Sequence, residues 1–104
     1  MKRGEVWWAN LPSPTGRRPV LLLSRNKAYA VRAAVTVAQI TRTVRGIPVE
    51  VPLDQKDGMP VKCVVNLDTL MTIPKSLLEK PLTSLSAAKM QLVKEALQFA
   101  LDLY

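Results

Sequence analysis

The strongest helical pattern in the chain is its C-terminal segment, and the residues before it have the composition of short strands. Over residues 87–103 apolar side chains recur every three or four positions, and Ser86 stands where an N-cap is expected. The earlier part is rich in Val, Ile and Thr and is interrupted by Pro and Gly. Several strands followed by one helix predict a barrel-like antiparallel sheet with a packed helix. The predicted class is mainly β (α+β), with residues 1–104 as one domain.

One predicted strand is apolar throughout. Residues 19–24 contain the run Val20-Leu21-Leu22-Leu23, which is typical of a central strand buried on both faces. The other predicted strands are 4–10, 31–41, 47–51 and 61–73. A short helical connection is expected at 26–30, and loops are expected at 11–16, 42–46 and 54–60. Pro74-Lys75 is expected to end the last strand.

Positive charge is concentrated in the first half of the chain. The net charge is +7, with nine Lys or Arg and one acid in residues 1–45, against six and seven in residues 46–104. This asymmetry favours a phosphate-rich partner. A basic surface that is merely solvated explains the same charge and stays open as an alternative.

The chain contains no histidine and one cysteine, Cys63. This composition excludes an internal disulfide, the common zinc-ligand patterns, the Ser-His-Asp triad and a two-histidine ribonuclease mechanism. Cys63 lies in an apolar run and is expected to be a buried structural thiol. Acid–base chemistry is left to carboxylates, Arg, Lys, Tyr, Thr or substrate oxygens, and we expect neither a metal nor a cofactor.

The N-terminus is positively charged, but no apolar run of signal-peptide length follows it. No segment reaches the roughly 18 apolar residues that a membrane span requires. We therefore expect a cytoplasmic protein without a membrane partner.

Two basic segments next to predicted strands are candidates for binding a phosphate. Arg17 and Arg18 open the apolar strand, where an arginine can clamp a phosphate through two hydrogen bonds. Thr41 ends another strand and precedes the basic loop with Arg42 and Arg45. The competing interpretations are a solvated arginine pair and an ordinary β-branched strand residue.

Two further candidates are a polar pair inside a strand and a pair of adjacent tryptophans. Asn66 and Asp68 fall in the long predicted strand, where aspartate is disfavoured unless it occupies an edge, a bulge or a turn. Trp7 and Trp8 point to opposite faces of their strand. One is expected in the core, and the other is available either to stack on a base or to pack against protein.

Short motifs along nearly the whole chain resemble those of the MazF/PemK toxins, and they occur in the same order. They are Arg3-Gly4-Glu5-Val6-Trp7-Trp8, Pro14-Thr15-Gly16, Arg18-Pro19-Val20-Leu21-Leu22-Leu23-Ser24, Ile40-Thr41, Gly58 with Cys63-Val64-Val65, Thr72-Ile73-Pro74-Lys75 and Leu85-Ser86. The resemblance implies an SH3-like barrel of antiparallel strands with a C-terminal α-helix, as in the related CcdB toxins.

The resemblance also implies a function. Such toxins belong to type II toxin–antitoxin systems, form homodimers, and are silenced by a MazE-like antitoxin with an acidic disordered segment. They act as metal-independent, sequence-specific endoribonucleases that cleave single-stranded RNA through a 2′,3′-cyclic phosphate. Their active arginine and threonine fall on Arg18 and Thr41, and an aspartate used by some members falls on Asp68. Candidate RNA contacts are Trp8, Arg17, Arg42, Arg45 and Asn66.

The sequence departs from the family pattern at two places. The loop between Gly16 and Arg18 is shorter than usual, and Asn66 stands where some relatives carry a basic catalytic residue. Two other functions remain open: a CcdB-like gyrase poison, and a non-catalytic SH3-like RNA- or protein-binding module. The presence of both Arg18 and Thr41 favours the nuclease.

Overall fold

The computed structural model describes the whole chain, residues 1–104. Its strands are β1 (Glu5–Asn10), β2 (Arg17–Leu22), β3 (Ala34–Thr41), β4 (Glu50–Leu53), β5 (Cys63–Pro74) and β6 (Leu78–Ser84). The helices are α1 (Ala28–Val31) and α2 (Ala87–Leu101), with 3₁₀ turns at Gln55–Asp57 and Lys75–Leu77. The predicted succession of strands and one long terminal helix is confirmed.

All six strands belong to one antiparallel sheet in the order β4-β5-β3-β2-β1-β6. The sheet curls into a half-barrel, so the predicted barrel is open along the seam between its edge strands β4 and β6. A hydrogen bond links β6 to the 3₁₀ turn that follows β4, since the hydroxyl of Thr83 donates to the carbonyl of Asp57 at 2.9 Å. The sheet is therefore tied at the seam without being closed by a ladder.

A large bulge bends β5 where it crosses β3. Ala38 is paired with Leu70, but the next residue, Gln39, is paired with Asn66, so residues 67–69 have no partner on β3. The side-chain oxygen of Asn66 accepts from the backbone amide of Asp68 at 2.9 Å and holds this irregular segment. Bulges increase local twist and bend a strand. This one lets the first half of β5 pair with β4 as well as β3.

Two cores lie on opposite faces of the sheet, and β2 contributes to both. Leu21 packs in the larger core with α2, whereas Val20 and Leu22 pack in the smaller one. All three side chains are fully buried. The prediction that this strand is buried on both faces is confirmed.

The fourth strand was predicted at 47–51, but it lies at Glu50–Leu53. Pro48 has no amide hydrogen to donate to a ladder, and the amide of Glu50 donates to the carbonyl of Ile47 at 3.0 Å, which closes a turn. Ile47 is consequently exposed. The prediction was wrong because the alternation of apolar residues begins at Ile47, whereas the backbone first pairs with β5 at Glu50.

The edge strand β6 was not predicted. Its central residues, Glu79-Lys80-Pro81, are polar or unable to donate, and this composition is tolerated only at the edge of a sheet.

Helix α2 begins at the predicted N-cap and ends earlier than predicted. The hydroxyl of Ser86 accepts from the backbone amide of Lys89, and Asp102 adopts a left-handed conformation with φ 56° that ends the helix at Leu101. Only two of its side chains are buried, Val93 and Ala96. Neither helix has the length and apolar character needed to cross a membrane.

Candidate active site

The site lies where the ladder between β2 and β3 stops. The last pair is Val20 with Gln39. The residue before Val20 in β2 is Pro19, which has no amide hydrogen and cannot donate the next hydrogen bond of the ladder. Continuing the same register by two residues sets Arg18 opposite Thr41, and opposite residues of antiparallel strands present their side chains on one face. The two predicted active residues therefore come together at a point where the strands are free to separate.

Arg18, Thr41 and Thr43 line two cavities at once. The larger, of about 530 Å³, is named here the arginine cavity; its other lining residues are Trp8, Arg17, Pro19, Ile40, Arg42, Met59, Pro60, Val61 and Cys63. The smaller, of about 180 Å³, is named the polar cavity; it is completed by Gln39, Arg45, Asn66 and Thr69 and has no apolar lining residue. Arg18 and Thr41 thus lie at the junction of the arginine cavity and the polar cavity.

The Arg18 guanidinium has unused hydrogen-bonding capacity. Its Nη1 atom lies 3.4 Å from Oε1 of Gln39, and its Nε atom is buried without any hydrogen-bond partner. No Asp or Glu lines either cavity, so no carboxylate competes for this charge. A buried cationic donor without a partner is well suited to receive an anion, and a phosphate fits its fork geometry.

The Thr41 hydroxyl is half-buried and oriented by the following turn. Its oxygen accepts from the backbone amide of Thr43 at 3.2 Å. A hydroxyl that accepts in this way keeps its own hydrogen free to donate. Thr41 therefore offers a second donor at the junction, beside Arg18.

The two tryptophans have different surroundings. Trp7 packs against the smaller core, and its Nε1 donates to Glu5 at 3.0 Å, which lowers the pKa of that carboxyl. Trp8 lines the arginine cavity, and the guanidinium carbon of Arg17 lies 4.2 Å from its ring centroid. Arg17 is also paired with Glu79, with 2.7 Å between Nε and Oε1.

The structure separates Asn66 from Asp68. Asn66 is buried, and its side chain lines the polar cavity while supporting the bulge. Asp68 is exposed and lines neither cavity. Of the basic loop, Arg42 borders the arginine cavity and Arg45 borders the polar one.

The remaining positive charge of the first half does not converge on the site. Arg25, Lys27 and Arg32 lie in the connection from the end of β2 to the start of β3, whereas both cavities lie at the other end of these strands. The charge count alone therefore overstated the basicity of the candidate site.

Three polar lining residues were missed, Gln39, Thr43 and Thr69, and one residue, Cys63, was judged correctly. Gln39 was detectable, because it precedes Thr41 by two positions and shares its face. Thr69 was not, because the bulge that brings it to the polar cavity has no recognisable sequence pattern. Cys63 is a buried wall residue whose pKa is raised by burial, as expected of a structural thiol. Nowhere do three or more His, Cys, Asp or Glu side chains cluster in a way that could hold a metal ion.

Residues 2–101 match the family described as PemK-like, MazF-like toxins of type II toxin–antitoxin systems. The chain belongs to this family. It is 40% identical over 91 residues to a Mycobacterium tuberculosis protein named probable endoribonuclease MazF2, a match that covers 86% of this chain and 87% of the relative. The resemblance seen in the short motifs is therefore confirmed over most of the chain.

Solved structures of MazF-like proteins share the fold. The Mycobacterium tuberculosis toxin MazF-mt6 superposes with a TM-score of 0.89 at 37% identity, covering 96% of this chain and 98% of that one. A mycobacterial endoribonuclease in complex with its cognate antitoxin gives 0.88 at 30% identity, covering 100% and 97%. These matches confirm the predicted fold and favour the MazF-like function over a gyrase poison or a non-catalytic module.

Proposed function

We propose that this MazF-like toxin is an endoribonuclease that cleaves single-stranded RNA at the junction of the arginine cavity and the polar cavity. The observation that carries the proposal is the buried, unpartnered Nε of Arg18 at the place where the register brings Thr41 opposite. Relatives that are 38–41% identical to the chain are named as endoribonucleases or probable endoribonucleases, which supports this enzyme class. We take residues 1–104 as one toxin domain.

The proposed reaction is an internal transesterification of RNA. The 2′-oxygen attacks the adjacent phosphorus, a new 2′-O–P bond forms, and the P–O5′ bond breaks. The products are a 2′,3′-cyclic phosphate and a 5′-hydroxyl, so one proton passes overall from the 2′-oxygen to the 5′-oxygen. The nucleophile belongs to the substrate, which suits a site without histidine or an activated cysteine.

Arg18 and Thr41 stabilise the charge that develops on the phosphate. As the phosphorus becomes five-coordinate, negative charge grows on its non-bridging oxygens, and preorganised donors aimed at that charge lower the barrier. Arg18 supplies Nε and Nη donors, and Thr41 supplies its free hydroxyl hydrogen.

The proton is carried by a non-bridging phosphate oxygen in this proposal. Neither cavity has a carboxylate in its lining, and Asp68, the aspartate suggested by the resemblance, is exposed on the bulge. The variant Asp68→Asn tests this assignment. A cleavage rate within about threefold of wild type is expected, whereas a loss as large as that of a missing transition-state donor, on the order of 10²–10³, would make Asp68 the base.

The polar cavity is the proposed source of sequence specificity. It presents the amides of Gln39 and Asn66 and the hydroxyls of Thr43 and Thr69. Such groups read the hydrogen-bonding edge of a base, and this edge is accessible only when the base is unstacked. Single-stranded RNA is therefore the substrate proposed, and the cytoplasm is the proposed place of action.

The proposed reaction needs no metal ion, since the charge-stabilising role is given to Arg18. Cleavage should therefore proceed in excess EDTA.

We also propose a homodimer. Helix α2 leaves Leu92, Phe99 and Leu101 46%, 53% and 51% exposed, and pairing with a second copy would cover such apolar surface. Light scattering should give about twice the chain mass of 11.5 kDa. A strictly monomeric mass would contradict this part of the proposal.

The antitoxin proposed is a MazE-like protein with an acidic, disordered segment. Arg42 and Arg45 are exposed at the cavities and complement such a segment, which would compete with RNA on binding. Co-expression of the neighbouring upstream reading frame should relieve growth arrest by the toxin. Unrelieved arrest would remove that frame as the antitoxin.

The function is tested by incubating purified protein with labelled single-stranded RNA in EDTA. Cleavage at defined positions with cyclic phosphate ends is expected, and a 2′-deoxy substitution at the mapped position should abolish it there. Binding without cleavage would favour a non-catalytic module. No binding, together with inhibition of gyrase, would favour a gyrase poison.

A further inference from the structure

Arg17 is held in one orientation by two contacts outside the proposed phosphate site. Its Nε donates to Oε1 of Glu79 at 2.7 Å, and its guanidinium carbon lies 4.2 Å from the ring centroid of Trp8. Arg17 and Trp8 line the arginine cavity, whereas Glu79 stands outside it. The carboxylate therefore holds the guanidinium against the indole ring from a position outside the cavity lining.

Glu79 reaches Arg17 because of an irregularity in the edge strand. Trp8 of β1 is paired with Lys80 and Ala9 is paired with Leu78, so Glu79 has no partner across this ladder. An unpaired bulge residue re-aims its side chain relative to its neighbours. On an unbroken ladder Glu79 would lie opposite Ala9, whose side chain packs in the smaller core, and it would not face Arg17.

The two neighbouring arginines consequently differ in chemistry. Arg18 has a buried donor without a partner, whereas the charge of Arg17 is already met by a carboxylate. Arg17 is therefore the poorer phosphate ligand. Its side chain is nevertheless 46% exposed while one guanidinium face is covered by Trp8. A guanidinium plane presented in this way is a surface on which an RNA base stacks.

We propose that Glu79 is a positioning residue that holds Arg17 against Trp8 as a stacking platform for one RNA base beside the scissile phosphate. The inference rests on the proposed function, because it needs RNA in the arginine cavity. Stacking tolerates any base, since every base has a π-face. The platform therefore adds affinity on one side of Arg18, while the polar cavity reads base edges on the other.

Variants at Glu79 separate positioning from simple charge effects. Removing a carboxylate beside RNA should tighten binding if its only effect is repulsion, whereas loss of the platform should weaken it. The matched control is Glu95→Ala, which removes the same charge from an exposed position of α2 outside both cavities. An exposed ion pair contributes little to stability, so Glu79 variants should melt within about 2 °C of wild type.

The experiment measures KM and kcat on a mapped RNA substrate, and Kd on the same RNA with 2′-deoxy at the scissile position. Glu79→Ala should raise KM and Kd about fivefold to tenfold with kcat within about twofold, as expected for a weakened stack. Glu79→Gln should lie closer to wild type, because its amide oxygen still accepts from Arg17. Glu95→Ala should match wild type. In a Trp7→Phe background, acrylamide should quench Trp8 fluorescence more strongly after Glu79→Ala.

The stacked base can be located with abasic substitutions. An abasic nucleotide at the right position should weaken binding to wild type by a similar factor and should erase the difference between wild type and Glu79→Ala.

Three results would overturn the platform. They are tighter RNA binding by Glu79→Ala, equality of Glu79→Ala with Glu95→Ala, and a difference that persists whichever base is removed. A wild-type protein that binds RNA without cutting it would instead contradict the proposed function, and the Kd comparison would still decide the role of Glu79. Absence of RNA binding would remove both.

Discussion

Arg18 on β2 contacts Gln39 on the neighbouring strand β3. The distance from Nη1 of the guanidinium to the side-chain oxygen of Gln39 is 3.4 Å, which is longer than an ordinary N–H···O hydrogen bond. The Nε atom of the same group is buried without a partner. Desolvating a charged donor without satisfying it costs free energy. An anion that accepts a hydrogen bond from Nε therefore offsets a cost that this side chain carries in the fold.

Thr41 provides a prediction that separates its hydroxyl from its shape. Thr41→Val keeps the β-branched side chain but removes the donor, so the single-turnover cleavage rate should fall on the order of 10²-fold. Thr41→Ser restores the hydroxyl and should recover to within about tenfold of wild type. The control is Thr36→Val on the same strand, which loses only a contact with Thr72. Equal rates for Thr41→Val and Thr36→Val would exclude a role for the hydroxyl.

The salt dependence of RNA binding should distinguish the two ends of the sheet. Each phosphate contact on a single strand contributes about −0.7 to the slope of log K against log salt, so three to four contacts predict about −2 to −3. Arg42→Ala should make the slope less negative by about 0.7, because Arg42 borders the arginine cavity. Arg25→Ala removes the same charge at the other end of β2 and should leave the slope unchanged. Equal effects of both substitutions would mean that only overall charge matters.

Gly58 is required at the seam of the half-barrel. Its φ of +89° is left-handed, and an added Cβ would lie 2.3 Å from Oγ1 of Thr83, the hydroxyl that bonds Asp57 across the seam. Gly58→Ala should therefore lower the free energy of unfolding by about 2–4 kcal/mol. Gly46→Ala is the matched control, because φ is +69° there but nothing lies within 4 Å of the added atom. Urea unfolding should show a clearly smaller loss for Gly46→Ala, and equal losses would exclude the clash.

The lowered pKa of Glu5 predicts that the fold loses part of its stability in acid. The hydrogen bond from Trp7 Nε1 is the main reason that the pKa of Glu5 lies below its ordinary value of 4.5. A carboxyl with a lowered folded-state pKa contributes stability above its unfolded pKa, and this contribution disappears as the pH falls through the folded pKa. Between about pH 6 and about pH 3, Trp7→Phe and Glu5→Gln should both lose less stability than wild type in urea unfolding. Parallel losses in all three proteins would show that the bond does not stabilise the charged form.

The sequence predicted the elements that are defined by local signals, such as apolar runs and helix caps. It failed where pairing between distant strands decides the structure. An apolar run predicted that the strand from Val20 to Leu22 is buried on both faces. Cap and proline chemistry predicted the helix N-cap at Ser86 and the end of β5 at Pro74. The edge strand β6 escaped prediction, because Pro81 and its charged neighbours are acceptable only once β1 is beside them. The early end of α2 depended on one residue, Asp102, in a conformation that aspartate adopts only occasionally.

Two residues at the centre of the candidate site were predictable from the sequence, but the geometry of the site was not. Arg18 and Thr41 were identified by motif, but their opposition depends on the register of β2 with β3, which no single-strand pattern contains. Asn66 and Asp68 show the limit most clearly. They are two residues apart on one predicted strand and would share a face, yet the bulge buries one and exposes the other. The contact between Glu79 and Arg17 could not be predicted from the sequence, because it joins the unpredicted strand β6 to β2.

The most direct measurement is single-turnover cleavage of a labelled RNA by Arg18→Ala in EDTA, with a melting curve on the same preparation. The rate should fall on the order of 10²–10³-fold, and the further loss in Arg18→Ala/Thr41→Val should be less than additive. The melting temperature should equal or exceed that of wild type, because an unsatisfied buried donor is removed. Arg25→Ala, at the other end of β2, should cleave normally. A well-folded Arg18→Ala that cleaves RNA at a near-wild-type rate would contradict the assignment of the site.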